Sequence, residues 1–362
     1  MISPYSLTVP GGVQGQILGL ARALRELGES VRVLGPCDGP PPEAFVTSLG
    51  NSIPTSANGS VAPIAPDPAA QLRTIRALRD EAFDVLHLHE PLAPGPTTTA
   101  ILIKPAPIVG TFHAAGASRA YEAFRPLLAR GAKRIDRRFA VSEDARDMAF
   151  AALGGTYEIL FNGVELSAFA GETPEPSLKP TIFFIARHEE RKGLRVLLEA
   201  MTHVPEDCEL VVAGTGPETA QLQAEFARDA RVQWLGEIDD AAKIVALKRA
   251  DVFCAPSLRG ESFGIVLLEA MAADTAVVAS DLSGYARVAR HGKDAALVPP
   301  GDALALGQAL TLMLENETTR RTYVDSGRTR VEQFSMARLA EAYRSAYYEL
   351  GVRTSGVARP LS

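Results

Sequence analysis

Two carboxylates eight residues apart, Glu261 and Glu269, stand in the stretch RGESFGIVLLEAMAA (259–273), where packing alone calls for no charge. The stretch follows a strand-like run, DVFCAPS (251–257), and IVLLEAMAA has helix-forming composition. Glu261 and Ser262 therefore belong to a strand-to-helix turn, with Phe263, Gly264 and Ile265 opening the helix. Free backbone N–H groups at such a helix start, together with its macrodipole, favour an anion. A fully helical span would put the glutamates ~12 Å apart, whereas a glycosidase dyad needs about 5–9.5 Å. The spacing suits a ligand as long as a nucleoside-diphosphate sugar, with hydroxyls gripped at both ends and the diphosphate between. It suits equally one solvated glutamate and one charge set against a helix dipole, and spacing alone leaves both open.

Other residues of chemical type lie at predicted strand ends. In ARHEERKG (186–193), Arg187 closes a strand and Lys192 falls in the next turn; without context the segment also reads as an exposed charge run. In VPGGVQG, Gly11 and Gly12 precede a helix, where a missing Cβ lets backbone approach a phosphate, although any βα loop can hold two glycines. His113 ends PIVGTFH at the carboxyl edge where α/β folds bind ligands, and it serves either there or in the structure. His87 and His89 share one face of a strand with no third ligand in sight, so they read as structural and no metal site is expected. Gly214 and Gly216 follow ELVVA, but no third glycine completes a dinucleotide fingerprint.

The elements that must position these residues alternate. VRVLGP (31–36), DVLHLHEP (84–91), PIVGTFH (107–113) and RFAVSE (138–143) read as strands in the first half. TIFFIAR (181–187), ELVVAGTG (209–216), VQWLGE (232–237), DVFCAPS and AVVASD (276–281) do so in the second. Continuous apolar runs suit parallel strands covered on both faces. Helices lie between, such as Gln16 to Leu27, capped by Gly28. The pattern predicts two successive doubly wound α/β domains, with GETPEPSLKP (171–180) as the linker, a last helix over 337–351 and a disordered tail.

At 362 residues the chain has room for two domains. A net charge of −6 argues against nucleic acid as a partner. Three scattered cysteines, Cys37, Cys208 and Cys254, form no CxxC pair, which points to a reducing cytosol rather than a disulfide framework. No signal peptide is expected, and no apolar run is long enough to span a bilayer, so any membrane contact is peripheral.

Taken in order, PYSLTVPGGVQGQ, IPTSANGSVA, FDVLHLHEP, TFH, AVSEDAR, NGVELSAF, ARHEERKG, ADVFCAPSLRGESFGIVLLEAMAA and AVVASD resemble, over about residues 3–345, the retaining glycosyltransferases of family four. Within that family the chain is similar to the phosphatidylinositol mannosyltransferases of actinobacteria. The resemblance implies the GT-B architecture: two Rossmann-like doubly wound domains facing across a cleft, with the C-terminal helix returning to the N-terminal domain. The acceptor and membrane side would span 1–168 plus about 344–362, and the sugar-nucleotide side 169–343.

The resemblance also implies roles. Arg187 and Lys192 would grip the donor diphosphate, Glu261 would hold sugar hydroxyls with backbone help from Ser262, Phe263, Gly264 and Ile265, and Glu269 would hold the ribose. Asp240 and Lys243 would lie near the base, with Gly11, Gly12 and Gly214 on the donor, His113 in the sugar pocket, and Tyr5, Gln14, Asn58 and Ser60 on the acceptor side. The donor would be GDP-mannose and the acceptor phosphatidylinositol or a relative. The implied site is the cytoplasmic face of the membrane. No tightly bound cofactor is implied, though a divalent cation such as Mg2+ can accompany the diphosphate.

Helix 69–83 predicts an apolar stripe of Leu72, Ile75, Leu78 and Ala82 bordered by Arg73, Arg76 and Arg79. It suits an anionic lipid surface or ordinary docking. Arg130, Lys133, Arg134, Arg137 and Arg138 form a second basic cluster. The chain departs from the lipid-acceptor pattern at Thr8, Ala57 and Pro63, and carries Asp274 where the family has glycine. Only Met1 and Ile2 precede Ser3-Pro4, so the first strand is expected to be stunted or missing.

Overall fold

The computed structural model describes residues 1–351 apart from 58–59, 114–124, 172–173 and 176, with the backbone alone at 56–57, 60–61 and 125–127. Asn58 and the tail 352–362 thus lie outside the described residues. The chain divides into an N-terminal unit, Met1–Gly163 with Met336–Ser362, and a C-terminal unit, Val164–Ser335.

The C-terminal unit is a six-stranded parallel sheet made of β9 (Thr181–Ile185), β10 (Glu209–Ala213), β11 (Val232–Gly236), β12 (Val252–Ala255), β13 (Ala276–Ser280) and β14 (Ala296–Val298). Their spatial order is β11-β10-β9-β12-β13-β14, the doubly wound order in which the chain reverses direction between β9 and β12. Side chains alternate along each strand. Phe183, Phe253, Val277 and Ala279 join one core with Leu267, Met271 and Phe334, while Ile182, Phe184, Cys254 and Val278 join another with Leu197, Leu306 and Leu310. Burial of both faces explains the unbroken apolar runs. Asp274 sits at φ 60° in the turn before β13 and accepts from Arg328 at 2.7 Å, so an aspartate is accommodated where glycine was expected.

The N-terminal unit carries β1 (Val33–Gly35), β2 (Val46–Ser48), the antiparallel pair β3 (Ile53–Ala57) and β4 (Ser60–Ile64), and the parallel β5 (Leu86–His89), β6 (Ile108–Phe112), β7 (Arg137–Ala140) and β8 (Glu158–Ile159). Ile2 settles the question of the first strand. It forms parallel bridges to both Leu34 and Leu88, so one residue fills the place between β1 and β5 and makes the order doubly wound here as well.

Helix Gly12–Glu26 buries Ile17, Leu20 and Leu24 and stops where Gly28 turns left-handed at φ 88°. The last helix, Met336–Glu349, lays Met336, Ala340, Tyr343 and Tyr347 on the same core. Because that whole helix belongs to the N-terminal unit, the return begins at Met336 rather than near 344.

Helix Pro68–Asp80 starts with Asp67 accepting from the N–H groups of Ala69 and Ala70, at 2.9 and 3.0 Å, and with Pro68 in its first turn. It ends before Ala82, whose φ is 44°. Its inner stripe is Ala70, Thr74 and Leu78; Leu72 is 67% exposed, which corrects the expected stripe. Arg73, Arg76 and Arg79 are exposed as well.

Candidate active site

In the C-terminal unit the candidate residues gather at the carboxyl ends of β9, β10 and β12, around the point where the strand order reverses. Lys192 lies in the turn after β9 and Glu261 in the loop after β12, and Lys192 Nζ donates to Glu261 Oε1 at 2.5 Å. Backbone approach makes this meeting possible. Gly193 has φ 70°, and a Cβ there would lie 1.9 Å from the Pro256 carbonyl oxygen. Leu258 N–H then donates to the Arg191 carbonyl at 2.8 Å. On the far side, a Cβ on Gly284 would fall 2.0 Å from the Glu261 carbonyl, so the helix Ser283–Val288 seats this loop.

Glu261 Oε1 also accepts from Ser257 Oγ at 2.9 Å, and Ser257 Oγ lies 3.0 Å from Tyr285 Oη. Burial first, then the Glu261 charge, pushes the Tyr285 hydroxyl up, so it stays protonated. Glu189 gathers the remaining cations: Arg187 Nε at 3.0 Å and Arg191 Nε at 2.8 Å. Arg187 is half exposed and reaches the cluster through Glu189.

At the other end of the helix Ile265–Ala272, Lys243 Nζ lies 2.9 Å from Glu269 Oε1 and 3.0 Å from Asp240 Oδ1. Burial raises the Glu269 carboxyl, partly countered by Lys243. Burial works against the Lys243 ammonium, but Glu269 and Asp240 outweigh it and hold its pKa above the ordinary value. Each glutamate of the pair is thus met by a lysine. Gly264, at φ 89°, opens the helix, whereas the Phe263 ring is buried against Phe334 and belongs to the core. Ser262 remains in the turn between them.

Gly214 and Gly216 have a reason within the protein: Cβ atoms there would lie 2.0 Å from the Ala186 carbonyl oxygen and 2.5 Å from that of His188. His188 is buried and fixes this loop through Thr219 Oγ1 at 2.9 Å.

The N-terminal unit assembles a second group. Gly11 is extended, and a Cβ on it would meet the Gln14 side chain at 2.4 Å; around Gly12, no described residue lies within 4 Å of such a Cβ. Gln14 Nε2 donates to the Ser6 carbonyl at 3.4 Å, Ser6 N–H donates to the Pro63 carbonyl at 2.8 Å, and Tyr5 bridges Ile64. Tyr5, Gln14 and the β3–β4 ribbon, with the Ser60 backbone in it, therefore come together. Thr8 Oγ1 accepts from Asp38 N–H at 2.8 Å. Arg73 donates to the Leu49 carbonyl at 3.0 Å, whereas Arg76 and Arg79 stay on the outer face of their helix.

His113 directly follows β6. Its Nε2 lies 2.9 Å from His89 Nδ1, and burial takes its pKa down to about 3. Its ring lines a cavity of about 10 Å³ with His89, Gln16 and Tyr343. His87 meets Tyr347 Oη and Thr111 Oγ1, each at 2.7 Å, which agrees with a structural role.

Sequence reasoning missed Ser257, Tyr285, Glu189 and Arg191. Ser257 closes the run DVFCAPS and could have been read from its place at a strand end. Tyr285 carries no local signal, because only the packing of Gly284 brings it to Glu261.

A family model described as glycosyl transferases group 1 matches residues 168–330, and one described as glycosyltransferase family 4 matches residues 10–168. The chain is 42% identical to the phosphatidyl-myo-inositol mannosyltransferase of Mycobacterium leprae (strain TN) over 98% of this chain and 97% of that one. It is 41% identical to the protein of that name from Mycobacterium tuberculosis (strain CDC 1551 / Oshkosh), over 96% and 95%. In fold it is similar to the sucrose-phosphate synthase of Thermosynechococcus elongatus, with TM-score 0.75, 20% identity, and 97% and 98% of the two chains covered. With two doubly wound units and these matches over nearly its whole length, the chain belongs to the GT-B glycosyltransferase family that contains the phosphatidyl-myo-inositol mannosyltransferases.

Proposed function

We propose that this glycosyltransferase moves mannose from GDP-mannose to the inositol ring of phosphatidylinositol, with retention at the anomeric carbon, at the cytoplasmic face of the membrane. The observation that carries the reading is the 42% identity, over 98% of the chain, to a relative named for that acceptor. In this reading Lys192 and Arg187 neutralise the departing diphosphate, Glu261 and Ser257 take sugar hydroxyls, and Glu269 takes the ribose with Lys243 and Asp240 beside the base. Glu261 is committed to Lys192 and Ser257, which suits binding rather than attack. The acceptor oxygen then bonds to the anomeric carbon on the face the diphosphate leaves, and a diphosphate oxygen takes the acceptor proton. Leu72, Arg76 and Arg79, exposed along one side of their helix, supply apolar and cationic contact for an anionic bilayer.

The test is transfer of labelled mannose from GDP-mannose to vesicles with and without phosphatidylinositol. Lipid-dependent label in the organic phase is expected, and its absence with folded enzyme would overturn the reading. Thr8, Ala57 and Pro63, which depart from the lipid-acceptor pattern, favour a second reading, the same donor with another acceptor. The same assay with soluble polyols or other lipids separates the two.

A further inference from the structure

His89 and Glu90 are consecutive residues at the carboxyl end of β5, beside Ile2, where the strand order of the N-terminal unit reverses. Both reach His113, from opposite chemical handles. His89 Nδ1 lies 2.9 Å from His113 Nε2, and Glu90 Oε1 accepts from the His113 backbone N–H at 2.7 Å. Glu90 does so from a left-handed backbone, φ 45°, with only 5% of its surface exposed. That conformation costs a glutamate about 1–2 kcal/mol, and it directs the carboxylate onto the His113 N–H. Glu90 N–H donates to the Thr111 carbonyl at 2.9 Å, tying the strained residue to the strand that carries His113.

The ring contact also favours one tautomer. His89 Nε2 is buried and has no hydrogen-bond partner among the described residues. If His113 Nε2 carried the proton, His89 would hold its own on Nε2 as a buried, unpaired donor, the costlier of the two orphans. With the proton on His89 Nδ1, only a lone pair is left unpaired. His113 Nε2 then accepts, and the His113 proton sits on Nδ1.

We infer that His89 and Glu90 are positioning residues for the transfer reaction, clamping the ring and backbone of His113 so that it presents Nδ1–H as a fixed donor to a hydroxyl of the sugar or acceptor. This rests on the proposed transfer and on His113 serving it. The clamp itself concerns the protein alone.

Two measurements on the full-length protein test it, with His89→Phe, His89→Asn, Glu90→Gly, Glu90→Gln and His113→Ala. The first is the 15N shifts of the histidine rings. Wild type is expected to show His113 as the Nδ1–H tautomer, and His89→Phe, which keeps the ring stack, is expected to lose that signature. A wild-type Nε2–H tautomer, or a signature unmoved in His89→Phe, overturns the clamp whatever the enzyme transfers.

The second is mannose transfer. kcat is expected to fall ~100-fold in His89→Phe and Glu90→Gly, the cost of a misplaced group, with GDP affinity unchanged. His89→Asn and Glu90→Gln, which keep a hydrogen-bonding atom in place, are expected to recover within about tenfold. His89→Phe should add nothing to His113→Ala, whereas a purely structural role would give additive losses. Wild-type kcat in both disruptive variants beside an inactive His113→Ala overturns the positioning role. An active His113→Ala overturns it together with the role of His113.

Discussion

Lys192 and Glu261 come from loops 69 residues apart, yet they form one ion pair at 2.5 Å, directly at the reversal point of the C-terminal sheet. Each charge neutralises the other. A donor that places its diphosphate on Lys192 and its hydroxyls on Glu261 must share or replace this bond. Lys192→Ala is therefore expected to lower kcat by about 100- to 1000-fold, the usual loss when a group stabilising transition-state charge is removed. Steady-state transfer kinetics check it, and a change confined to KM would count against a role on the leaving group.

The second pair predicts a different phenotype. Glu269 is tied to Lys243 at 2.9 Å at the far end of the same helix. On the proposed reading, Glu269→Ala removes a charged acceptor for the ribose and is expected to weaken GDP binding by about 1.5–3 kcal/mol, or about 10- to 150-fold. Calorimetric titration with GDP measures this directly; unchanged affinity would remove the ribose from Glu269.

Gly193 and Gly12 separate structural from ligand-driven glycines. Gly193→Ala drives a Cβ into the Pro256 carbonyl from a left-handed backbone, and destabilisation of at least about 2 kcal/mol is expected in urea unfolding. Gly12→Ala meets nothing within 4 Å among the described residues and sits at the first helical position. Its melting temperature is expected to hold or rise while transfer falls if, as proposed, the donor phosphate approaches through this open space.

The outer face of helix Pro68–Asp80 predicts a salt-dependent membrane contact. Replacing Arg76 and Arg79 by Ala is expected to cost about 1 kcal/mol each in binding to anionic vesicles. Co-sedimentation with phosphatidylinositol-containing and neutral vesicles reads the effect, which should shrink at high salt.

The buried histidines make the protein acid-sensitive. Burial holds His113 down to about 3 and keeps His87 and His89 well below their ordinary value. All three are neutral when folded and take up protons near pH 6.5 when unfolded. Their contribution is fully present above pH 6.5 and falls as the pH drops toward the folded values, by up to about 1.4 kcal/mol per pH unit for each histidine. Urea midpoints between pH 7 and 4.5 should follow this slope, and His89→Phe should flatten it by about one proton.

Each run read as a strand, from VRVLGP to AVVASD, holds a strand, because a buried parallel strand needs no partner pattern to be recognised. What escaped depends on distance. β3 and β4 carry Pro54 and Pro63, which speak against a strand; their mutual pairing, the Tyr5–Ile64 bridge and the Ser6 N–H bond to the Pro63 carbonyl hold them. Leu72 looked like core by spacing, yet Thr74 went inside with its hydroxyl satisfied by the Ala70 carbonyl at 2.8 Å. Glu261, Glu269 and Lys192 were legible as motifs. That each glutamate faces a lysine was not: Gly193 and Gly284 bring Lys192 and Glu261 together only in the folded sheet, and Lys243 reaches Glu269 from another helix.

The last helix carries a consequence for biosynthesis. Tyr343 and Tyr347 complete the core of the N-terminal unit and pair with the buried Thr111 and His87. A ribosome adds about 5–20 residues per second, so the half-built N-terminal unit waits on the order of ten seconds while the whole C-terminal unit emerges. During that interval the seat of Tyr343 and Tyr347 is open apolar surface on a nascent chain, a natural target for chaperones. Emergence of the helix Met336–Glu349, rather than of its own first 163 residues, is what lets that unit close.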